Sequence, residues 1–412
     1  MQFLKKNIGL EVISSKKYKN INVSFKFLLP YHDEKALAIY SLCQFIGEYS
    51  VSFPTKELMS TKKDMLYGMQ VDAYHSINNG NSLVNFNYQF LNPKYTEGVS
   101  LNDQIAYIKE SLFNIYFDEH LINEVKNNYV AKVIRNLDKP MRYASNRVLQ
   151  IIGHDNNFRF NDLDKRRLID KLDYQLIKDT YDYLLEKANL YIYVIGDVDE
   201  GEITNLFNDF VFENRNKYDF ATKSIVLKDF GKVEENKDMS QSYLNVVYET
   251  GFNNRTDDYY KWLVADAFLG LVPNSLLFTE VREKRSLCYS ISSNLFKSEG
   301  ISVVSSAISY KDHNEIIKLI DECIQSIINQ SYDINDFNTA KKYLINSILS
   351  NNDDAKAYID FIHSRVILNH EYTLDDVTKL IDAVSPDDAS EVMKTYKCRL
   401  CYVLRGNQDE ID

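Results

Sequence analysis

The sequence predicts an α+β protein made of two homologous halves, each an antiparallel-rich sheet packed with helices. Three observations predict it. Strand-like and helix-like segments segregate instead of alternating strictly, which disfavours a doubly wound parallel sheet. A helix-then-strand unit occurs twice. Only 13 Gly and 6 Pro punctuate 412 residues, leaving long stretches free for regular structure. In the first copy of the repeated unit, Leu168-Ile169-Asp170 leads through Leu176, Ile177, Tyr181, Leu184 and Leu185 into the apolar run Leu190 to Ile195, closed by Gly196-Asp197. In the second, Leu380-Ile381-Asp382 leads through Ala389, Val392, Met393 and Tyr396 into Leu400 to Leu404, closed by Gly406-Asn407. The offset is 212 from Asp170 to Asp382 and 210 from Gly196 to Gly406, a two-residue indel. Upstream, Leu66 to Met69 leading to Leu83 to Phe86 matches Leu287 to Ser290 leading to Ile301 to Val304. Copies of about 200 residues follow.

Each half reads alike. An apolar strand opens it, Ile21 to Leu29 or Leu244 to Tyr248, and a helix follows, Lys35 to Ile46 or Asp257 to Leu269. Strands come next at Gln70 to Phe90 or Ser290 to Ser309. Amphipathic helices fill the remainder, at Leu101 to Phe117, Asp118 to Arg135, His313 to Ile328 and Ile334 to Leu349. The expected division is a first half over 1–211, a linker over 212–241 containing the charged and polar run Lys232 to Lys237, and a second half over 242–412.

Composition narrows the function. Lys+Arg number 48 against 59 Asp+Glu, a net charge of −11, the opposite of what a phosphate backbone or an anionic membrane attracts. Nucleic acid and membrane partners are not expected. No apolar run approaches the roughly 18 residues of a spanning helix, and Met1 to Leu10 lacks the apolar block of a signal peptide. Five scattered cysteines fit a reducing cytoplasm better than a disulfide framework.

No self-contained catalytic centre is legible. The histidines are His32, His75, His120, His154, His313, His363 and His370, and no two have the i, i+4 spacing that places two zinc ligands on one helical face. Cys398 and Cys401 form a CxxC, but in a strand residues three apart point to opposite faces, so apolar filling is expected there. A GxSxG elbow is absent. Gly196 and Gly201 are spaced like a phosphate loop, yet Glu202 stands where its lysine belongs.

One segment is far more specific: Leu269-Gly270-Leu271-Val272-Pro273-Asn274-Ser275-Leu276-Leu277-Phe278-Thr279-Glu280-Val281-Arg282-Glu283-Lys284-Arg285-Ser286-Leu287-Cys288-Tyr289-Ser290-Ile291. It resembles the second-domain signature of the insulinase-like (pitrilysin, inverzincin) metallopeptidases, and the resemblance extends over essentially the whole chain. It implies a clamshell half of duplicated α+β domains. Active members of that family carry HxxEH on the first long helix. Aligned on Tyr40-Ser41-Leu42-Cys43-Gln44, the motif has Tyr40 and Gln44 in the ligand positions and Cys43 in place of the catalytic base. The helix implied to supply a third ligand reads Val130-Ala131-Lys132-Val133, with Glu124 one to two turns earlier. No metal or other cofactor is therefore expected in this chain.

The resemblance also implies that a second-domain arginine and tyrosine seven residues apart hold the substrate backbone and polarise the scissile carbonyl. Arg282 and Tyr289 have that separation. Some bacterial members pair a zinc-bearing subunit with one that keeps only the Arg/Tyr pair. The expectation is a zinc-less subunit, inactive alone, whose homologous HxxEH partner holds the zinc and whose substrate is a peptide, with peptide maturation one role. The rival expectation is a pseudoenzyme serving as a scaffold or peptide-binding protein with no protease partner.

Overall fold

A computed structural model describes residues 1–78, 80–153, 161–210, 212, 215 and 225–407. The chain divides into two compact units. One holds 1–133, 164–221 and 354–364; the other holds 134–163, 222–353 and 365–412.

The first unit is built on a six-stranded sheet. Its strands are β1 (Gln2–Lys5), β2 (Ile8–Ser14), β3 (Asn20–Pro30), β4 (Gln70–Asn78), β5 (Asn81–Leu91) and β6 (Asn189–Gly196), in the order β1-β2-β6-β3-β5-β4. The second unit has a five-stranded sheet of β7 (Gly231–Lys237), β8 (Ser242–Glu249), β9 (Cys288–Phe296), β10 (Ile301–Ile308) and β11 (Lys397–Gly406), in the order β7-β11-β8-β10-β9.

The two sheets have the same wiring. In the first, β2 runs parallel to β6, and the pairs β6/β3, β3/β5 and β5/β4 are antiparallel. In the second, β7 runs parallel to β11, and β11/β8, β8/β10 and β10/β9 are antiparallel. Strands β2 to β6 thus map in order onto β7 to β11, with β1 as an extra edge. Two glycines mark the same contact in each copy. A Cβ on Gly47 would lie 2.7 Å from the Val71 side chain on β4, and one on Gly270 would lie 2.7 Å from the Ser293 nitrogen on β9. Real Cβ atoms do not come within 3.0 Å of other heavy atoms, so glycine lets the chain cross the strand there.

The expected strands and most of the helices are present, and their burial explains them. Phe25, Phe27, Phe86 and Phe90 are buried on β3 and β5, each stabilising the fold by about 1.5–3 kcal/mol relative to an exposed side chain. The helix His313–Ile328 buries Ile316, Leu319, Ile320, Cys323, Ile324 and Ile327. Their three-and-four spacing gives one apolar stripe. Among the described residues, no helix is long and apolar enough to cross a membrane.

Differences lie where no apolar pattern announces structure. Gly231–Lys237, within the stretch expected as a linker, is the edge strand β7, and its alternation of exposed and half-buried residues is that of a strand bonded on one side. Phe212 and Arg215, also inside that stretch, are buried; Arg215 donates to the carbonyls of Leu184, Leu185 and Ala188, closing the end of the helix Tyr174–Glu186. The expected helix Asp257 to Leu269 is an α-helix over Tyr259–Asp266 that widens to a π-helix over Ala267–Leu271, and a second π-helix follows at Phe278–Glu283. Such widening is frequent at functional sites.

Candidate functional site

The degenerate motif falls on the helix Asp33–Phe45, which buries Ala36, Leu37, Ala38, Ile39, Ser41, Leu42 and Phe45. That stripe leaves Tyr40 and Cys43 half-buried and Gln44 exposed. The Tyr40 ring packs on Tyr129 with centroids 4.3 Å apart, and the Lys132 ammonium donates to the Tyr40 hydroxyl at 3.4 Å. Tyr129 and Lys132 lie on the helix Glu119–Leu137, which the resemblance gives as the source of the third ligand. Glu124 on the same helix pairs with Lys56 at 3.7 Å. Burial, with help from the nearby Asp72 carboxylate, pushes the Cys43 thiol up to about 12.

These residues do not fit a zinc ion. A metal ligand must be deprotonated, and a thiol that resists ionisation is poor for that. A lysine ammonium standing against Tyr40 also repels a dication. At pH 8 the thiolate fraction of Cys43 is on the order of 10⁻⁴. Alkylation at that pH therefore spares Cys43 while the exposed Cys398 reacts, an outcome checked by peptide mass mapping.

The histidines are engaged elsewhere. Burial lowers His75 to about 3 and holds His363 well below its ordinary range, with the Tyr193 hydroxyl 3.0 Å from its Nδ1. His313 stacks on Tyr310, and His370 on Tyr372. His32 and His120 are exposed, and His154 lies outside the described residues. Among the described residues, no group of three or more His, Cys, Asp or Glu side chains is placed to hold a metal ion.

Arg282 and Tyr289 are placed very differently. Arg282 is exposed near the end of the π-helix Phe278–Glu283, its guanidinium 4.7 Å from the Phe278 ring centroid. Beyond the helix end, Ser286 has a left-handed φ of 55°, with the Ser286 amide donating to the Arg282 carbonyl and the Leu287 amide to the Val281 carbonyl. β9 then begins. Cys288 pairs with Ile308 and Ser290 with Ala307, so Tyr289 is an extra residue in a β-bulge. It is 80% exposed. A core or cross-strand aromatic would be covered; this one is presented. Among the described residues its strand is an edge, bonded in the ladder to β10 alone.

The residue at 286 matters because a left-handed backbone costs a side chain about 1–2 kcal/mol, most for a β-branched one. Ser286→Val should lower unfolding stability by about 2 kcal/mol and Ser286→Gly should not, as urea denaturation midpoints will show.

Behind this surface sits a residue the sequence did not single out. Asp266 is fully buried, accepting from Ser293 Oγ and Ser302 Oγ at 2.6 Å each and from the Tyr396 hydroxyl at 2.9 Å. It ties the helix Tyr259–Asp266 to β9, β10 and the approach to β11. A lone Asp amid apolar residues was the available signal. Burial raises its carboxyl above the usual range.

Comparison with known proteins bears on the fold. Residues 171–344 match a family model described as the peptidase M16 inactive domain. Over that stretch the chain is similar to the inactive domain of the M16, insulinase-like peptidases. It is similar to a curated Bacillus subtilis (strain 168) protein described as probable inactive metalloprotease YmfF, with 24% identity over 96% of this chain and 95% of that one. A conserved protein from Enterococcus faecalis V583 superposes with a TM-score of 0.91 at 22% identity, covering 98% of each chain. A protease from Helicobacter pylori gives 0.80 at 13% identity, again over 98% of each. Those likenesses establish a shared fold over nearly the whole length.

Proposed function

We propose that this chain is the zinc-less subunit of a two-chain peptidase. It lends Arg282 and Tyr289 to an active site whose zinc is held by a homologous, HxxEH-bearing partner. The observation that carries this reading is the display of the pair. Tyr289 is 80% exposed on a bulged edge strand, and Arg282 is exposed on the helix before it. Neither side chain is consumed by its own fold, whereas Tyr40 packs on Tyr129 and burial pushes the Cys43 thiol up to about 12.

Physically, a guanidinium offers several fixed donors to a carbonyl, and a phenol adds one more. Both gain strength as negative charge develops on the oxygen. The outer edge of β9 has backbone groups available to an added strand, so an extended peptide is the substrate class that suits it. Maturation of a peptide product in the cytoplasm is the role we infer.

The test mixes the purified chain with a candidate HxxEH partner and follows a quenched fluorescent peptide. This chain alone should not cleave it, even with added zinc, and the mixture should. A mixture no more active than the partner alone overturns the proposal and favours a scaffold or peptide-binding role.

A further inference from the structure

Strand β11 contains Cys398-Arg399-Leu400-Cys401, and its ladder with β8 corrects the expectation that the two thiols face opposite ways. Cys398 lies opposite Tyr248, but Leu400 lies opposite Val247 and Cys401 opposite Val246. Arg399 is therefore a bulged residue, and the extra position restores both cysteines to one face. The neighbours agree. Arg399 pairs with Glu249 at 3.1 Å, and Leu400 joins Val247 in the core beneath the helix Pro140–Ile152. Cys398 and Cys401 share the other side with Tyr248, whose hydroxyl donates to Asp321 on the helix His313–Ile328.

The two thiols lie within hydrogen-bonding reach of each other, Cys398 is exposed, and Cys401 is half-buried. Solvent reaches the pair. Lys232 stands opposite Cys401 in the β7 ladder, its ammonium paired with Glu234 at 2.7 Å.

We propose that Cys398 and Cys401 form a two-thiolate clamp for a thiophilic, two-coordinate ion such as Cu(I). Thiolates select soft ions, and among the described residues no third metal-binding side chain joins the pair to build a tetrahedral zinc centre. Two sulfurs already in hydrogen-bond contact need little backbone movement to admit an ion between them. A direct disulfide fits less well. Same-face positions two rungs apart have Cα atoms about 6.6 Å apart, close to the upper end of disulfide geometry. On binding, each thiol gives its proton to water and each sulfur donates an electron pair to the ion, with no change of oxidation state.

The full chain, fully reduced and under argon, is titrated against Cu(I) held by a coloured bathocuproine-type chelator. Wild type should withdraw one equivalent more than the Cys398→Ser/Cys401→Ser double variant, and each single variant should bind that equivalent at least roughly tenfold more weakly. X-ray absorption of the loaded protein should show two sulfur neighbours. Equal withdrawal by wild type and double variant, or nitrogen or oxygen donors at the copper, overturns the proposal. Thermal melts before loading verify that the variants are folded, and Cys398→Ala at the exposed position is a second variant for the same titration.

Discussion

Replacing Arg282 with alanine should lower peptide cleavage by the mixed chains about 10²-fold or more, an effect expected in kcat more than in KM. The magnitude follows from the proposed role. A donor aimed at a developing oxyanion contributes about 3 kcal/mol to the barrier, and little of that is felt by the ground-state carbonyl. Fold stability should hardly change. Arg282 is exposed, and its contact with the Phe278 ring is a surface cation–π interaction of about 0.5–1 kcal/mol. Steady-state kinetics beside a thermal melt separate the two effects. Unchanged kcat with an unchanged melt would show that the side chain is incidental, as a scaffold reading requires. A melt lowered in step with activity would assign Arg282 to folding instead.

The largest stability effect should come from Asp266→Ala. Three hydroxyls, on Ser293, Ser302 and Tyr396, lose a buried acceptor together, and each orphaned donor costs about 1–2 kcal/mol. The sum is about 3–6 kcal/mol, read as a shift of the urea midpoint at constant slope. Asp266→Asn keeps an acceptor oxygen and should lose less. The pH dependence carries a definite sign. The folded carboxyl is raised above its unfolded value by burial, so its contribution to stability is full below about pH 4 and is lost as pH rises through the folded value. Asp266→Asn should abolish that decline. A variant whose stability falls with pH as steeply as wild type would remove Asp266 as its source.

Much of this could be read directly from residue order. The long amphipathic helices and the central strands announce themselves through periodic apolar residues, and the duplication through the repeated unit ending at Gly196 and Gly406. The absence of a helical histidine pair was also legible, since no two of the seven histidines lie four residues apart. What escaped had no local pattern. β7 is a charged edge strand, recognisable only once β11 is beside it. The role of Lys132 depends on one helix lying against another, and Asp266 draws its partners from positions 293, 302 and 396.

By itself, then, the sequence determined that no two histidines have the i, i+4 spacing of a helical zinc motif and that an arginine and a tyrosine stand seven residues apart at 282 and 289, because both are matters of residue type and spacing along one chain. Only the tertiary structure decided which side chains are presented. Two bulges, at Tyr289 and at Arg399, each insert one residue into a ladder and so reverse the face on which the following side chains emerge. A single-residue change of register has no signature in composition or periodicity. It exists only in the pairing with a neighbouring strand, and that pairing aims Tyr289 outward and brings Cys398 and Cys401 together.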